Sequence, residues 1–304
     1  NIIVVGIFVV DLAFVASKLP LPGETIIGDN YIIGPGGKGS NQSVAISRSG
    51  GKASLIARIG DDQFGEVGRN LYQKENVYTE GLIIAKGEKT GSAAISIDKN
   101  GMNSIIVVPG AASGLKKSMI DEKLHLFHKS SIMVTGFEVP LDIASYCLNK
   151  AKSEGLRTIL NPAPYFDIDN TNFKLVDYLT PNEHEASSLT NIEIQNIDDA
   201  RVAGRRICEL GVGTSIITMG EKGVLCTTNS DDHDGLYIPS YKLKEKVIDT
   251  VGAGDAFNGA FATAISEDMG LEDALKFANK AASLSVRKSG AALSAPFREE
   301  INQV

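Results

Sequence analysis

The sequence is short of cysteine and of positive charge, and each shortage excludes a class of protein. Its three cysteines, Cys147, Cys208 and Cys226, are an odd number without a C-x-x-C pair. Neither a disulfide framework nor a structural zinc site is therefore indicated, and we expect a reducing compartment, the cytoplasm. Lys and Arg total 30 against 37 Asp and Glu, a net charge of −7. Because no dense basic run is present, a nucleic-acid-binding surface is not expected.

Long apolar runs are lacking as well. No stretch reaches the ~18 uninterrupted apolar residues that a membrane span needs. Residues 1–6 are apolar but have neither a basic leader nor a small-residue cleavage site, so we expect a buried strand there, not a signal peptide. Hydrophobic residues nevertheless make up 43% of the 304 residues and charged residues 22%. This composition is typical of a globular protein with a large interior, and we expect one domain over residues 1–304.

Short β-branched runs alternate with helical patterns along most of the chain. The clearest predicted strands cover residues 2–5, 54–59, 132–135, 158–160 and 215–218. Helices are predicted at 41–48, 64–75, 141–154, 198–210, 253–265 and 271–287. This alternation requires crossover connections. It predicts an α/β fold with a doubly wound, mostly parallel sheet and helices on both of its faces.

Two stretches, residues 12–33 and 90–108, interrupt the alternation. The second contains Asn100-Gly101 between two alternating runs, which favours a hairpin. Together the stretches predict a small β-sheet that acts as a lid, and an extension of the main sheet is the alternative. A small sheet has exposed edges and an apolar face, so we expect it to pair with its copy in a homodimer. The residues expected on that face are Phe14, Ile26, Ile32, Ile95 and Ile105.

A glycine-rich turn, G-P-G-G-K-G-S-N-Q at residues 34–42, follows a predicted strand and opens a helix. Glycines at such a turn let backbone N–H groups approach a ligand, and Lys38 and Asn41 supply donors suited to hydroxyl oxygens. The turn matches neither G-x-x-x-x-G-K-[ST] nor G-x-G-x-x-G, the two common nucleotide fingerprints. Tight backbone packing is the alternative explanation for these glycines.

A second turn, D-T-V-G-A-G-D-A-F-N-G-A at residues 249–260, begins an apolar helix. Gly252, Ala253 and Gly254 present N–H groups where the helix dipole favours negative charge. Asp255 at the same helix start can act as a general base toward a hydroxyl group. A simple N-terminal helix charge is the alternative for Asp255, but the small residues on both sides of it favour close approach of a ligand.

The two turns together resemble the paired signatures of the ribokinase branch of the PfkB carbohydrate kinase family. The similarity spans nearly the whole chain. Further matching segments follow in the family's order: P-G-E-T at 22–25, N-P-A-P at 161–164, P-N-E-H-E at 181–185, T-M-G-E-K-G at 218–223 and P-F-R-E-E at 296–300. The resemblance implies transfer of phosphate from ATP to the primary hydroxyl of a sugar, with Asp255 as base and residues 252–254 as anion hole.

The resemblance also implies roles for individual residues. Sugar-facing positions match Asp11, Gly37, Lys38, Asn41 and Glu138, beside Asp255. Nucleotide-binding positions match Asn182, Thr218, Gly220, Gly223, Gly254 and Asn279. Asn182 and Glu185 match an Asn-x-x-Glu element that organises Mg²⁺ through water, although Asn182 also suits a helix cap. Positions for a monovalent cation, normally K⁺, match Asp249, Val251, Ser285, Lys288, Gly290 and Ser294.

One departure concerns the sugar. Many members have Asn-x-Asp where this chain has Val9-Val10-Asp11, and a pocket that cannot bond a hydroxyl discriminates less against the analogue that lacks it. D-Ribose is the first expectation; 2-deoxyribose, a nucleoside or another sugar is the alternative. If Val9 faces the sugar, asparagine there should favour ribose; if Val9 is core, asparagine should only lower stability.

Two other classes of protein compete with a kinase. A non-catalytic sugar- or nucleotide-binding protein would not need Asp255, Asn182 and Glu185. A dehydrogenase would need G-x-G-x-x-G after the first strand, and that motif is absent.

Overall fold

A computed structural model describes residues 1–166, 173–229, 235–243 and 245–303. Its strands are β1 Ile2–Val5, β2 Val9–Val15, β3 Asn30–Gly36, β4 Ala53–Gly60, β5 Leu82–Ala85, β6 Thr90–Ile97, β7 Asn103–Gly110, β8 Ile132–Gly136, β9 Arg157–Asn161, β10 Tyr178–Leu179, β11 Thr214–Thr218, β12 Val224–Thr228 and β13 Leu236–Ile238. Its helices are α1 Lys38–Arg48, α2 Gln63–Lys74, α3 Lys117–Asp121, α4 Leu124–His128, α5 Leu141–Ser153, α6 Glu183–Thr190, α7 Ile197–Glu209, α8 Ala253–Ser266, α9 Leu271–Ser285 and α10 Arg298–Asn302. Short 3₁₀ turns cover Ala111–Gly114, Phe173–Leu175, Gly220–Lys222 and Ala292–Ser294.

The main sheet runs in the order β13-β12-β11-β10-β9-β8-β1-β4-β5 within the described residues. The pairs from β11 to β5 are parallel, and β12 and β13 are added antiparallel at one edge. The chain starts at β1 in the interior of the sheet and builds outward in both directions. The predicted doubly wound, mostly parallel sheet is therefore confirmed.

Two apolar cores lie on opposite faces of this sheet. Alternate residues of β1 divide between them, Ile2 and Val4 toward one and Ile3 and Val5 toward the other. The first core also holds apolar side chains of α1, α2, α8, α9 and α10. The second holds those of α3 to α7. The expectation of helices on both faces is confirmed. Among the described residues, no helix combines the length and apolar character that crossing a bilayer requires.

Four strands form a separate sheet in the order β3-β2-β6-β7, called here the small sheet. The predicted bounds of 12–33 need correction, because β2 begins at Val9 and β3 continues to Gly36. Asp11 therefore lies on the small sheet. The hairpin at Asn100-Gly101 is present: β6 and β7 are antiparallel, and the Asp98 Oδ1 accepts from the backbone N of Asn100.

The predicted apolar face of the small sheet was wrong in two members. The strand register puts Ile32, Ile95 and Ile105 on one face with Ala13, whereas Phe14 points to the opposite face. Ile26 lies in the loop between β2 and β3 and belongs to neither strand. Both faces of the small sheet carry exposed apolar side chains: Ile32 and Ile105 on one, and Phe14, Tyr31, Ile33, Ile106 and Val108 on the other.

The topology gathers polar residues at one edge of the main sheet. Strands β8, β9, β10 and β11 are parallel neighbours, so their carboxyl ends meet at that edge. Glu138, Asn161, Thr180, Asn182 and Thr218 lie at or just beyond those ends. The crevice outside the carboxyl ends of parallel strands is the usual ligand position in open α/β sheets.

Candidate active site

A polar pocket opens at this edge, between the strand ends and the beginnings of α1 and α8. It brings together seven residues that the sequence singled out: Lys38, Asn182, Glu185, Thr218, Gly252, Gly254 and Asp255. Its other lining residues are Asn161, Ala163, Thr180 and Asn258.

The turn before α8 is shaped by Gly252, the residue that caps the helix. Gly252 adopts φ +80°, and a Cβ there would lie 2.7 Å from the Ala291 Cα. Only glycine adopts this positive φ readily and has no Cβ to clash with Ala291. The turn therefore packs directly against the segment that carries Gly290 and Ser294. At Gly254, by contrast, a Cβ would meet nothing within 4 Å. The Ala253 N donates to the Thr250 carbonyl at 3.3 Å, whereas the backbone at Gly254 adjoins open space in the pocket.

Asp255 lies in the first turn of α8 and is 6% exposed. Its Oδ2 accepts a hydrogen bond from Asn41 Nδ2 at 2.9 Å, and its Oδ1 accepts one from Gln42 Nε2 at 3.0 Å. Burial raises the pKa of the carboxyl group above its ordinary value, while Lys38 and the two amide donors act in the opposite direction. A buried carboxylate held by neutral donors beside one ammonium group has the properties of a general base.

Lys38 begins α1 and lies among three carboxylates. Burial opposes its charge, but Asp255, Glu138 and Glu185 outweigh burial and raise the pKa of the ammonium group. Its backbone N donates to Glu138 Oε2 at 2.7 Å, which joins the start of α1 to the loop after β8. Burial raises the pKa of Glu138 to about 7, with Lys38 opposing that shift.

Asp11 approaches the same region from the small sheet. It pairs with Gly34 on β3, and its carboxylate lies against the backbone of Gly36, one residue before the cap of α1. Burial raises the pKa of Asp11 to about 6, and its charge contributes to the raised pKa of Glu138. Asp11, Gly37 and Glu138 therefore surround the start of α1. Val9 lies on the same face of β2 as Asp11, but it is only 4% exposed and packs in the second core. Its position is therefore that of a core residue.

Asn182 and Glu185 form a reciprocal cap at the start of α6. Asn182 Oδ1 accepts from the Glu185 backbone N at 2.8 Å, and the Asn182 backbone N donates to Glu185 Oε2 at 2.9 Å. The helix-cap interpretation of Asn182 is therefore confirmed, and the cap uses only one oxygen of Glu185. Burial raises the pKa of Glu185. Thr218 adjoins this cap through a parallel bridge to Asn182.

Three of the predicted nucleotide-binding residues do not line this pocket: Gly220, Gly223 and Asn279. Gly223 and Asn279 both contact the segment of residues 238–240. A Cβ on Gly223 would contact the backbone of residues 238–240, and Asn279 Nδ2 donates to the Pro239 carbonyl at 2.7 Å. Gly220 opens the 3₁₀ turn that connects Thr218 to Gly223.

Asp249 joins two loops beside the turn at Gly252. Its Oδ1 accepts from the Val251 N at 2.9 Å, and its Oδ2 accepts from the Gly290 N at 3.1 Å. The hydroxyls of Ser285 and Ser294 donate to carbonyls of their own turns, and the Lys288 Nζ pairs with Glu300. The structure therefore brings Asp249, Val251 and Gly290 together, while the side chains of Ser285, Lys288 and Ser294 bond to other neighbours.

Four buried polar residues around Asp255 were not predicted to belong to the site: Gln42, Asn161, Thr180 and Asn258. Gln42 stands in the first glycine-rich motif, and Asn258 follows Asp255 by three positions, so adjacency was a usable signal for both. Asn161 stands in the N-P-A-P segment that matches the family, but no role was predicted for it. Thr180 gave no signal, because only the parallel strand order shows that β10 ends beside α8.

The oxygen and N–H groups present fit a nucleotide phosphate and Mg²⁺. Open space at Gly254 leaves room for an anion against the first turn of α8, whose dipole favours negative charge. Mg²⁺ prefers oxygen ligands and keeps several waters, and Glu185 retains one oxygen outside the cap. In the described ranges, no group of three or more His, Cys, Asp or Glu residues has a metal-binding arrangement. Chemically, the pocket can remove a proton from a hydroxyl while stabilising a transferring anion.

Comparison with known proteins agrees with this chemistry. Residues 1–298 match the family described as pfkB family carbohydrate kinase. The chain is 36% identical to a ribokinase from Haemophilus influenzae over 92% of this chain and 90% of that protein. It is 32% identical to a deoxyribokinase from Salmonella typhi, over 100% of this chain and 98% of that one. An Arabidopsis thaliana ribokinase solved with ribose and ATP superposes with a TM-score of 0.92 at 29% identity, covering 99% of this chain and 97% of that one.

The raised pKa of Glu138 predicts a pH-dependent stability. Between its ordinary value of 4.5 and about 7, the folded chain binds more protons at Glu138 than the unfolded chain. Stability from this group is therefore lost as pH rises through that window. Glu138→Gln keeps the acceptor for the Lys38 N but carries no charge. In urea titrations, we expect it to match the wild type near pH 4.5 and to exceed it by about 1–3 kcal/mol at pH 8. A difference that stays constant from pH 4.5 to 8 would contradict the assignment.

Proposed function

This chain belongs to the pfkB family of carbohydrate kinases, and we propose that it transfers the terminal phosphoryl group of ATP to the 5-hydroxyl of D-ribose, giving ribose 5-phosphate. The observation that carries the proposal is Asp255, a buried carboxylate at the N-terminus of α8 beside Lys38. Ribose and ATP are the ligands of the superposable Arabidopsis enzyme, and ribose is the substrate named for the Haemophilus relative.

Asp255 is the general base in this proposal. Its carboxylate accepts the proton of the sugar hydroxyl as that oxygen attacks the terminal phosphorus of ATP. The bond from this phosphorus to the bridging oxygen breaks, and ADP leaves. The N–H groups of residues 252–254 stabilise charge on the transferring phosphoryl group. Lys38, held charged by its carboxylate neighbours, adds a cation on the same side of the pocket.

The sugar is proposed to lie between the start of α1 and the small sheet, against Asp11, Gly37, Lys38, Asn41 and Glu138. Asn41 supports this placement. Its Nδ2 donates to Asp255, and its Oδ1 is buried without a hydrogen-bond partner. A buried acceptor without a donor costs free energy. A sugar hydroxyl bound beside Asp255 would supply the missing donor.

The nucleotide is proposed to extend from Gly254 and Asn182 along Thr218, Gly220 and Gly223 toward Asn279. Asn182 and Glu185 would hold Mg²⁺ through water, and the ion would offset negative charge on the phosphates. The orientation of Glu185 is set by its bond from the Asn182 N. The three buried cysteine thiols fit the cytoplasm as the compartment.

A specific observation favours 2-deoxyribose as a second candidate substrate. Val9 is apolar and buried in the second core, so this position offers a ribose hydroxyl no hydrogen-bond partner that 2-deoxyribose would lack. The Salmonella relative is named a deoxyribokinase. The ratio of kcat/KM for the two sugars decides between them.

Asp255→Asn tests the catalytic assignment. The amide keeps the shape of the side chain but cannot act as a base, so we expect kcat to fall by about 10²- to 10⁴-fold. Sugar binding, measured by calorimetry, should stay within severalfold of the wild type. Asp273→Asn makes the same change in the first turn of α9, away from the pocket, and should leave kcat unaltered. Turnover of Asp255→Asn within twofold of the wild type would remove Asp255 from the mechanism.

We also propose that a monovalent cation, most readily K⁺, binds beside the turn at Gly252. Asp249 already ties Val251 to Gly290, and Ser285, Lys288, Gly290 and Ser294 would add main-chain oxygens. The contact between Gly252 and Ala291 couples these loops to the anion hole. A bound cation would stabilise the backbone without entering the chemistry.

Removal of K⁺ and Na⁺ should therefore lower activity severalfold, and added K⁺ should restore it. Because the cation holds two loops together, K⁺ should also raise the melting temperature in the absence of substrates. Tetramethylammonium chloride serves as the ionic-strength control. If K⁺ changes neither the rate nor the melting temperature, Asp249 is a structural turn residue only.

A homodimer formed through the small sheet is the proposed assembly. Apolar side chains stand exposed on it: Ile33 is 53% exposed and Ile106 is 68% exposed. A sheet of four strands that leaves such residues in water gains stability when a second copy covers them.

Light scattering at micromolar concentration should give about twice the chain mass of 32.3 kDa. Ile105 and Ile106 point to opposite faces of β7, so the double variant Ile105→Glu, Ile106→Glu places a charge on each face and should yield monomers. Ile27, which is 90% exposed outside the sheet, offers the matched control Ile27→Glu. A monomeric wild type would refute the dimer.

A further inference from the structure

Gln42 contacts Asp255 without lining the pocket. It is 2% exposed, and its Nε2 lies 3.0 Å from Asp255 Oδ1 and 3.4 Å from Asn161 Oδ1. None of the proposed substrate contacts involves it. A buried amide that donates to a carboxylate oxygen therefore needs another explanation than ligand binding.

The backbone around Gln42 is held rigidly. Helices α1 and α8 pack so closely that a Cβ on Gly259 would lie 2.4 Å from Ala45 Cβ and 2.8 Å from Ile46 N. Gln42 and Asp255 lie on the facing sides of this helix pair. The distance between their side chains is therefore set by backbone packing and does not depend on a flexible loop.

We propose that Gln42 is a positioning residue, which orients the Asp255 carboxylate for removal of the sugar proton. The inference rests on the proposed function. Asp255 has two oxygens and two neutral donors: Asn41 occupies Oδ2 and Gln42 occupies Oδ1. Asn41 belongs to the proposed sugar site, so its bond is open to rearrangement when sugar binds. Gln42 does not bind the sugar, so it holds the carboxylate of Asp255 in the same plane with and without sugar bound.

A chain of hydrogen bonds fixes Gln42 in turn and links it to the anion hole. Asn161, whose Oδ1 is the weaker acceptor of Gln42, donates through Nδ2 to the Thr180 carbonyl at 3.0 Å. The Thr180 hydroxyl donates to Asn258 Oδ1 at 2.6 Å, and the Asn258 Nδ2 donates to the Gly254 carbonyl at 2.9 Å. The same network thus positions both the base and the turn that precedes it.

Loss of the Gln42 donor should alter the protonation of Asp255 in a definite direction. The charged groups that face Asp255 are Lys38, Glu138 and Glu185, and none of them changes in a Gln42 variant. The Gln42 amide stabilises the ionised carboxylate and lowers the pKa of Asp255. Without it, the acid limb of the pH profile should move to higher pH.

Gln42→Met tests the inference, since it keeps the length of the side chain and removes the donor. We expect kcat for ribose to fall about 10- to 100-fold while KM changes less than about threefold. The acid limb of kcat against pH should rise by about one pH unit, so the deficit should shrink as pH increases. Val44→Ala, a buried neighbour on α1, controls for lost packing and should leave the acid limb in place.

Gln42→Glu is a second variant of the same shape, in case Gln42→Met does not fold, and it should also raise the acid limb. An acid limb at its wild-type position in the folded Gln42 variants would overturn the inference, whatever the value of kcat. A wild type without sugar-dependent ATP consumption would overturn the proposed function and the inference with it. An active wild type with an unmoved acid limb overturns the inference alone.

Discussion

The site depends on keeping one carboxylate ionised while it is buried. Burial favours the neutral form of Asp255, and the opposing contributions are small and local: one ammonium group, two amide donors and a helix N-terminus. No single one of these contributions keeps Asp255 ionised, because burying an isolated charge costs much free energy. The close packing of α1 against α8 makes them act together, since it places Lys38, Asn41 and Gln42 on the same side of Asp255. The protonation state of Asp255 is therefore a property of a helix–helix contact.

The α/β topology supplies the remainder of the site at the edge of the sheet. Parallel strands β8 to β11 end side by side, so residues far apart in sequence, such as Asn161 and Thr218, reach one pocket. The small sheet adds Asp11 from the opposite side. Three groups with burial-raised pKa values, Asp11, Glu138 and Asp255, are thus concentrated around the start of α1. Carboxyl groups perturbed in this way are typical of functional sites, where a ligand replaces the lost water.

Much of this arrangement was predictable from sequence. Strand and helix patterns that alternate along the chain are a clear signal of a buried parallel sheet. Helices such as α8 and α9 were predicted to within two residues at each end. The two glycine-rich turns identified Lys38, Gly252 and Asp255. The direction of side chains in the small sheet was harder to predict. Residues of a strand alternate between its two faces, so the face of Phe14 depends on the strand to which it belongs. Strand β2 begins at Val9, but Val9 and Val10 look as much like part of a buried apolar segment as like the start of a strand, and Phe14 was assigned to the wrong face. Asn161 and Thr180 were missed, because their proximity to Asp255 follows from tertiary strand order alone.

The central claim is that Asp255 removes a proton from the primary hydroxyl of a small sugar as that oxygen receives phosphate. The most direct measurement is sugar-dependent ATP consumption by the wild-type chain with ribose, 2-deoxyribose and hexoses, with the product identified by phosphorus–carbon coupling in NMR spectra of ¹³C-labelled sugar. If Asp255 acts in this way, ribose should turn over rapidly with phosphate on C5, and kcat/KM should be higher for ribose than for the hexoses. ATP consumption that is independent of sugar, or phosphate on C1, would contradict it.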